Sequence, residues 1–351
     1  MTHAKRLYDS TGYLSFDTLY SYNTFLTFVI GARGIGKTYN ALRYSIEHKI
    51  NTIYVRRTQE EADIASGKES NVLSEIIETY HIPFERLKDT KIPIYRIYDK
   101  EYAPEEENKT YCDICFASLT AFNKIRSIGL HKYDVIIYDE FIPEKIVRKM
   151  KHEGDAFHNM IETVNRNREL NGKPSIKIFA LSNSNDIYND ILAHYDLIST
   201  LVKMQANKQE VNIDRKRSIG LIYPMHSPIS ERKKDTALYK ALGDSEYTEM
   251  ALSNKFSNNI DYPFIRSQNL KEYKPVIKVG ELTVYEHKHE WKYYITWHYS
   301  GNVRKLEVNK ENMTWFNKTS TGKGITLTHL IGDCYFENTK AYVLWKAYAQ
   351  V

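Results

Sequence analysis

The sequence predicts an α/β protein with a larger first domain on a mostly parallel sheet, a short linker, and a smaller C-terminal mixed α/β domain. Strands and helices alternate over residues 24–181. Several of those strands are continuous apolar, β-rich runs, the pattern of strands buried on both faces. After about residue 205 the texture changes, first to a charged, Pro-containing stretch, then to alternating Tyr/Trp/Val-rich segments. The 351 residues suffice for two domains of ordinary size, with expected bounds at 1–212, 213–255 (linker) and 256–351.

Residues 24–30 (TFLTFVI) read as a buried strand. A Gly-rich turn and a helix over 37–48 follow, then a strand at 52–55. Residues 71–80 are helical by spacing, with Val72, Leu73, Ile76 and Ile77 on one face. Strands are expected at 92–98 and 111–117, around the acidic loop PEEENK. Residues 135–138 (VIIY) form a short buried strand ending in Asp139 and Glu140, 156–170 a helix, and 176–181 (IKIFAL) another buried strand. Beyond residue 262, VIKV, LTVYEH and KYYITWHY read as antiparallel hairpins, with a final helix from about residue 339. There is no internal repeat and no low-complexity tract.

Composition narrows the function classes. Hydrophobic residues make up 42% and charged residues 26%, which argues against wholesale disorder. No apolar run approaches the roughly 18 residues of a membrane span, and the N-terminus lacks the apolar core of a secretory signal. Three cysteines fit a reducing cytoplasm better than a disulfide scaffold. A net charge of +5 permits nucleic-acid binding without demanding it. The 28 tyrosines suit half-buried sheet surfaces or a partner interface.

On a sheet of this kind ligands bind beyond the carboxyl ends of the strands, and three polar clusters sit there. The first, Gly31-Ala32-Arg33-Gly34-Ile35-Gly36-Lys37-Thr38, fits G-x-x-x-x-G-K-[ST], the P-loop of nucleotide triphosphatases. Its glycines let successive N–H groups wrap a phosphate, and the following helix aims its positive end at the same anion. Lys37 reaches the terminal phosphates of ATP, and the Thr38 hydroxyl is a Mg²⁺ ligand. The second cluster is Asp139 and Glu140. A carboxylate ending an apolar strand reaches Mg²⁺ beside the phosphates, and an adjacent second one can polarise the attacking water, which points to hydrolysis. The third is Asn183, an amide placed to feel the terminal phosphate or, alternatively, an ordinary turn residue.

Four arginines are further candidates. Arg166 and Arg168 end the helix before the 176–181 strand. They either complement the helix dipole or act as an arginine finger on the transferring phosphoryl group. Arg56 and Arg57 close the 52–55 strand and either touch nucleotide or a neighbour, or are solvated.

Taken in order, TFVIGARGIGKTY, IYVRR, IIYDEFI, TVNRNRE and LSN closely resemble the DNA-packaging motor ATPases of phi29-like tailed phages. Ser230-Glu231-Arg232-Lys233-Lys234 and EYTEMALSNKF resemble that family's linker. The resemblance implies an additional-strand catalytic-glutamate P-loop domain, related to terminases and FtsK–HerA translocases. It also implies a pentameric ring working in the host cytoplasm, transiently at the portal vertex of a procapsid, where ATP hydrolysis drives double-stranded DNA inward. By motif, Lys37, Thr38, Asp139 and Glu140 take the roles above, Arg166 is the trans-acting finger with Arg168 beside it, and Asn183 is a sensor. The C-terminal domain would resemble an RNase H-like nuclease without its active site, contacting a packaging RNA and the portal. VIKV and LTVYEH offer no Asp for a two-metal site. One departure is Gln59, where the family has a basic residue.

DNA contacts are sought among basic residues after strands: Lys124 and Arg126 in NKIRS, and Lys145, Arg148, Lys149 and Lys151 in PEKIVRKMK. A solvated basic face is the alternative. Cys112 and Cys115 mimic a C-x-x-C motif within a strand, His287 and His289 share a strand face without a third ligand, and TGKGIT at 321–326 reads as a turn between strands. Two other functions stay open: a different nucleic-acid translocase or helicase, and a nucleotide-switched assembly module.

Overall fold

The computed structural model describes residues 7–88, 90–99, 111–125, 129–144, 150, 152–183, 186–225, 227–243, 245, 248, 252, 254 and 264–349. The chain forms two compact units. One comprises Met1–Ile146, Asp155–Asp186 and Lys203–Ser257, the other Val147–Gly154, Ile187–Val202 and Asn258–Val351.

In chain order the first part of the structure runs α1 (Phe16–Ser21), β1 (Leu26–Ile30), α2 (Lys37–Glu47), β2 (Thr52–Arg56), α3 (Gln59–Ala65), α4 (Ser74–Tyr80), β3 (Phe84–Arg86), β4 (Ile94–Tyr98) and β5 (Tyr111–Ser118). It continues through β6 (Val135–Asp139), α5 (Glu153–Asn165), β7 (Lys177–Ser182), α6 (Asp190–His194), α7 (Ile198–Ala206), β8 (Val211–Asp214), β9 (Ile219–Ile222), α8 (Pro228–Lys233) and α9 (Ala237–Leu242).

The first unit is built on a nine-stranded sheet in the order β3-β4-β5-β2-β6-β7-β1-β9-β8. The strands from β5 to β9 in that order run parallel, and β3, β4 and β8 add antiparallel edges. Every residue of β1 and β6 is buried, which explains their unbroken apolar runs. One face is covered by α1 and α2, where Phe16 meets Phe179 with ring centroids 5.3 Å apart and Leu42 and Ile46 join the same core. On the other face, Phe157 of α5 stacks on Tyr138 at 5.5 Å, with Phe28 at 6.5 Å. The β7 strand lies between β1 and β6. Its register pairs Ser182 with Ile30 and Leu181 with Asp139, so all three polar clusters emerge along one sheet edge.

Three local differences from the sequence expectation have physical causes. The helix expected from residue 71 starts at Ser74, because the Asn71 side chain accepts from Leu73 N–H and holds a turn. The helix expected to reach residue 170 stops at Asn165, because Arg166 takes a left-handed backbone (φ 37°). A separate 3-10 turn at Glu169–Asn171 follows. The expected domain boundary at residue 212 falls inside β8, and β9 pairs in parallel with β1, so part of the expected linker is sheet.

The second unit contains β10 (Tyr273–Val279), β11 (Leu282–His287), β12 (Tyr293–Thr296), β13 (Arg304–Leu306), α10 (Lys310–Lys318), α11 (Ser320–Ile331), β14 (Cys334–Phe336) and α12 (Thr339–Ala349). Its five-stranded sheet is ordered β13-β10-β11-β12-β14. The β10–β11–β12 meander is antiparallel, as its alternating pattern predicts, and β13 and β14 join its edges in parallel. The TGKGIT segment is not a turn between strands but lies in the first part of α11. Its glycines serve packing: a Cβ on Gly322 would lie 2.2 Å from Phe316 O, and one on Gly324 2.6 Å from the Tyr293 hydroxyl.

Cys112, Cys115 and Cys334 are buried free thiols. The His287 imidazole faces its own turn, with Nδ1 accepting from the N–H of His289 and Glu290. Among the described residues no group of three or more His, Cys, Asp or Glu forms a metal cluster, and no helix is long and apolar enough to cross a membrane.

Candidate nucleotide-binding site

The loop between β1 and α2 has the backbone that its glycines permit. Gly34 and Gly36 both have positive φ, 68° and 86°, and Gly36 caps α2. The chain before α1 braces the loop: Leu14 N–H donates to Ile35 O, and the Asn40 side chain of α2 donates to Leu14 O. A Cβ on Gly36 would come within 3.0 Å of both Tyr13 and Asn40, so side chains close this position.

Lys37 is buried beneath the loop. Its Nζ donates to Gly31 O at 2.9 Å, Ala32 O at 2.7 Å and Asn183 Oδ1 at 3.0 Å. Burial pulls the ammonium down to about 7, against the opposing pull of the Asp139 carboxylate. Asn183, just past β7, thus sits against the loop lysine.

The Thr38 hydroxyl donates to Asp139 Oδ2 at 2.9 Å. The same oxygen accepts from the Tyr54 hydroxyl at 2.7 Å. Burial and the Asp139 charge hold the Tyr54 phenol well above its ordinary range, so it remains a donor. Arg56, at the end of β2, spans both carboxylates: its Nη1 is 3.5 Å from Asp139 Oδ2 and its Nη2 2.5 Å from Glu140 Oε2. Burial alone would lower the Arg56 pKa, but Tyr54, Glu140 and Asp139 outweigh it and raise it. Glu140 has a left-handed backbone (φ 55°), and its side chain is half exposed.

The donor set fits a triphosphate with Mg²⁺. Thr38 and Asp139 are hard oxygen donors in contact with each other. Lys37 donates to neutral acceptors alone, and the positive φ of Gly34 and Gly36 disfavours a side chain beside the loop backbone.

The remaining candidates are placed as follows. Arg33 pairs with Glu144 at the loop. Arg57 is buried, and its N–H donates to Glu61 Oε2, the carboxylate of the α3 capping box. Arg168 is a strut: it donates to Pro174 O, His131 O, Tyr133 O and Asp134 Oδ1. Arg166, two residues earlier, is exposed. Gln59 bonds Asp63 and Ser118 within the subunit. Lys124 is exposed on a 3-10 turn. Arg126, Lys145, Arg148, Lys149 and Lys151 lie outside the described residues.

Sequence reasoning missed two residues. Tyr54 sits two positions before Arg56 on a strand, hence on the same face, and that alternation was the available signal. Lys233 of α8 donates to Arg33 O at 3.0 Å, a contact between residues 200 positions apart that no local pattern reveals.

A family model described as podovirus DNA encapsidation protein (Gp16) matches residues 8–315. The chain belongs to this family. It is 29% identical over 258 residues to a DNA packaging protein of Bacillus phage B103, covering 72% of this chain and 70% of the relative. Its fold is similar to the Phi-28 gp11 DNA packaging motor (TM-score 0.57, 18% identity, 97% and 98% of the two chains). It is also similar to the bacteriophage Phi-29 viral genome packaging motor assembly (TM-score 0.55, 19% identity, 98% and 100%). The family match and these likenesses extend beyond the first unit into the second one.

Proposed function

We propose that this chain is the ATP-hydrolysing motor that translocates double-stranded phage DNA into a preformed capsid. The observation that carries the reading is the meeting of Lys37, Thr38, Asp139, Glu140 and Asn183 at one sheet edge in a member of an encapsidation family.

In this reading the N–H groups at 31–38 and the Lys37 ammonium hold the phosphates of ATP, and Thr38 and Asp139 hold Mg²⁺. When bound, Mg²⁺ neutralises charge on the terminal phosphates. Glu140 polarises the attacking water. Its carboxylate is engaged by Arg56 in the present arrangement, so turnover requires Arg56 to yield it. Arg166, exposed at the end of α5, completes a neighbouring subunit's site, which makes hydrolysis a property of the ring. Lys124, with Arg126 and Lys145, grips DNA phosphates without reading sequence. The ring is a pentamer on the portal of a procapsid, and the C-terminal unit, with the role of an inactive RNase H-like module, docks a packaging RNA.

The test is packaging itself. Procapsids supplied with this chain, ATP and DNA should protect that DNA from nuclease, and the Lys37→Ala chain should protect none. Equal protection by Lys37→Ala would sink the reading.

A further inference from the structure

The Lys233 side chain leaves the end of α8 and crosses to the crown of the phosphate loop, where Nζ donates to Arg33 O at 3.0 Å. A Cβ built on Gly34 would lie 2.0 Å from that nitrogen, so the ammonium fills the space that this glycine leaves open. An ammonium carries three donors, and among the described residues this one has a single acceptor, a neutral carbonyl. Burial lowers its pKa, and its charge is felt by Lys37.

The α8 helix is seated firmly enough to deliver the side chain. Ile229 and Ser230 are buried, and Pro228 packs so closely on Gly12 that a Cβ there would lie 2.9 Å from it. Gly12 belongs to the turn that precedes the loop brace at Leu14. Two lysine amines thus meet one glycine loop, Lys37 at Gly31 O and Ala32 O and Lys233 at Arg33 O, with no carboxylate bonded to either. Each amine thus keeps donor capacity that a phosphate oxygen could accept.

We propose that Lys233 is a second phosphate ligand of the nucleotide, supplied from α8, exchanging Arg33 O for a phosphate oxygen when nucleotide enters. This rests on the nucleotide-site reading above and adds a consequence to it. The helix pair α8–α9 is then tied to the phosphates, so nucleotide loss releases it.

The test measures binding of ATPγS and of ADP, each with Mg²⁺, to the full-length wild type and to the Lys233→Met, Lys233→Arg, Lys234→Met and Lys37→Met variants. Lys234 is exposed and pairs with Glu231, so its variant controls for surface charge. Loss of a charge-assisted contact corresponds to roughly 10–100-fold weaker binding. That loss is expected for Lys233→Met, with substantial recovery in Lys233→Arg and none of it in Lys234→Met. A loss confined to ATPγS places the contact on the terminal phosphate, and an equal loss for ADP places it on a shared one. Either supports the proposal. Wild-type affinity of Lys233→Met for both nucleotides, with Lys37→Met impaired, overturns it and leaves the site standing. Wild-type affinity of Lys37→Met overturns the site reading itself.

Discussion

The Arg56 guanidinium is bonded to the Glu140 carboxylate at 2.5 Å while also facing Asp139 at 3.5 Å. One cation at the end of β2 thus serves the two carboxylates that end β6. Asp139 is almost fully buried, and the groups that donate to its carboxylate, the Thr38 and Tyr54 hydroxyls and the Glu140 N–H, are all neutral. Arg56 therefore supplies positive charge to both carboxylates.

Replacing Arg56 by Ala should destabilise the nucleotide-free chain by about 1–3 kcal/mol, the cost of a buried carboxylate deprived of its cation. Mg²⁺ with ATPγS brings positive charge to the same place, so the deficit should shrink on binding. Thermal unfolding with and without the ligand checks this, and an equal deficit in both states would contradict it.

Tyr54→Phe removes only the hydroxyl that donates to Asp139 Oδ2. A buried hydrogen bond to a charged acceptor should make this worth about 1–3 kcal/mol. Denaturant unfolding of the variant should show that loss with the slope unchanged. No loss would mean that Asp139 is satisfied without the phenol.

Burial pulls the Lys37 ammonium down to about 7. Phosphate oxygens favour its charged form, so binding above that pH must take up a proton. Affinity should fall as pH rises through about 7 and beyond, and proton uptake at pH 8 should approach one per nucleotide. Calorimetry in two buffers of different ionisation enthalpy measures the uptake. A value near zero would show that Lys37 is already protonated there.

Arg166 and Arg168 should separate cleanly. Arg168→Ala deletes bonds to three carbonyls and Asp134, and should cost about 2–4 kcal/mol in chemical denaturation. Arg166→Ala alters an exposed side chain and should stay within about 0.5 kcal/mol of wild type. It should nevertheless abolish turnover in the assembled motor, with partial rescue when mixed with Glu140→Gln subunits. Absence of rescue would argue against a finger acting between subunits.

The contiguous chemistry was legible in the sequence because it is local. The 31–38 loop, the Asp139–Glu140 pair and Asn183 are each written within a few residues of a strand end, and parallel pairing puts strand ends on one edge. Contacts made by topology were not legible. That Arg56 meets Glu140 depends on β2 lying beside β6, and that Lys233 reaches Arg33 depends on the seating of α8. The β8–β9 hairpin escaped because Val211–Asp214 is a half-buried edge strand with a polar sequence. The α11 helix escaped because Gly322 and Gly324 read as turn residues, whereas close packing on Phe316 and Tyr293 is what demands them.

The most direct measurement is ATP hydrolysis by wild type and Glu140→Gln, each with and without blunt double-stranded DNA, on procapsids that allow the ring to assemble. The account predicts DNA-stimulated turnover in wild type and none in Glu140→Gln. Turnover that ignores DNA, or that survives the loss of the Glu140 carboxylate, would contradict it.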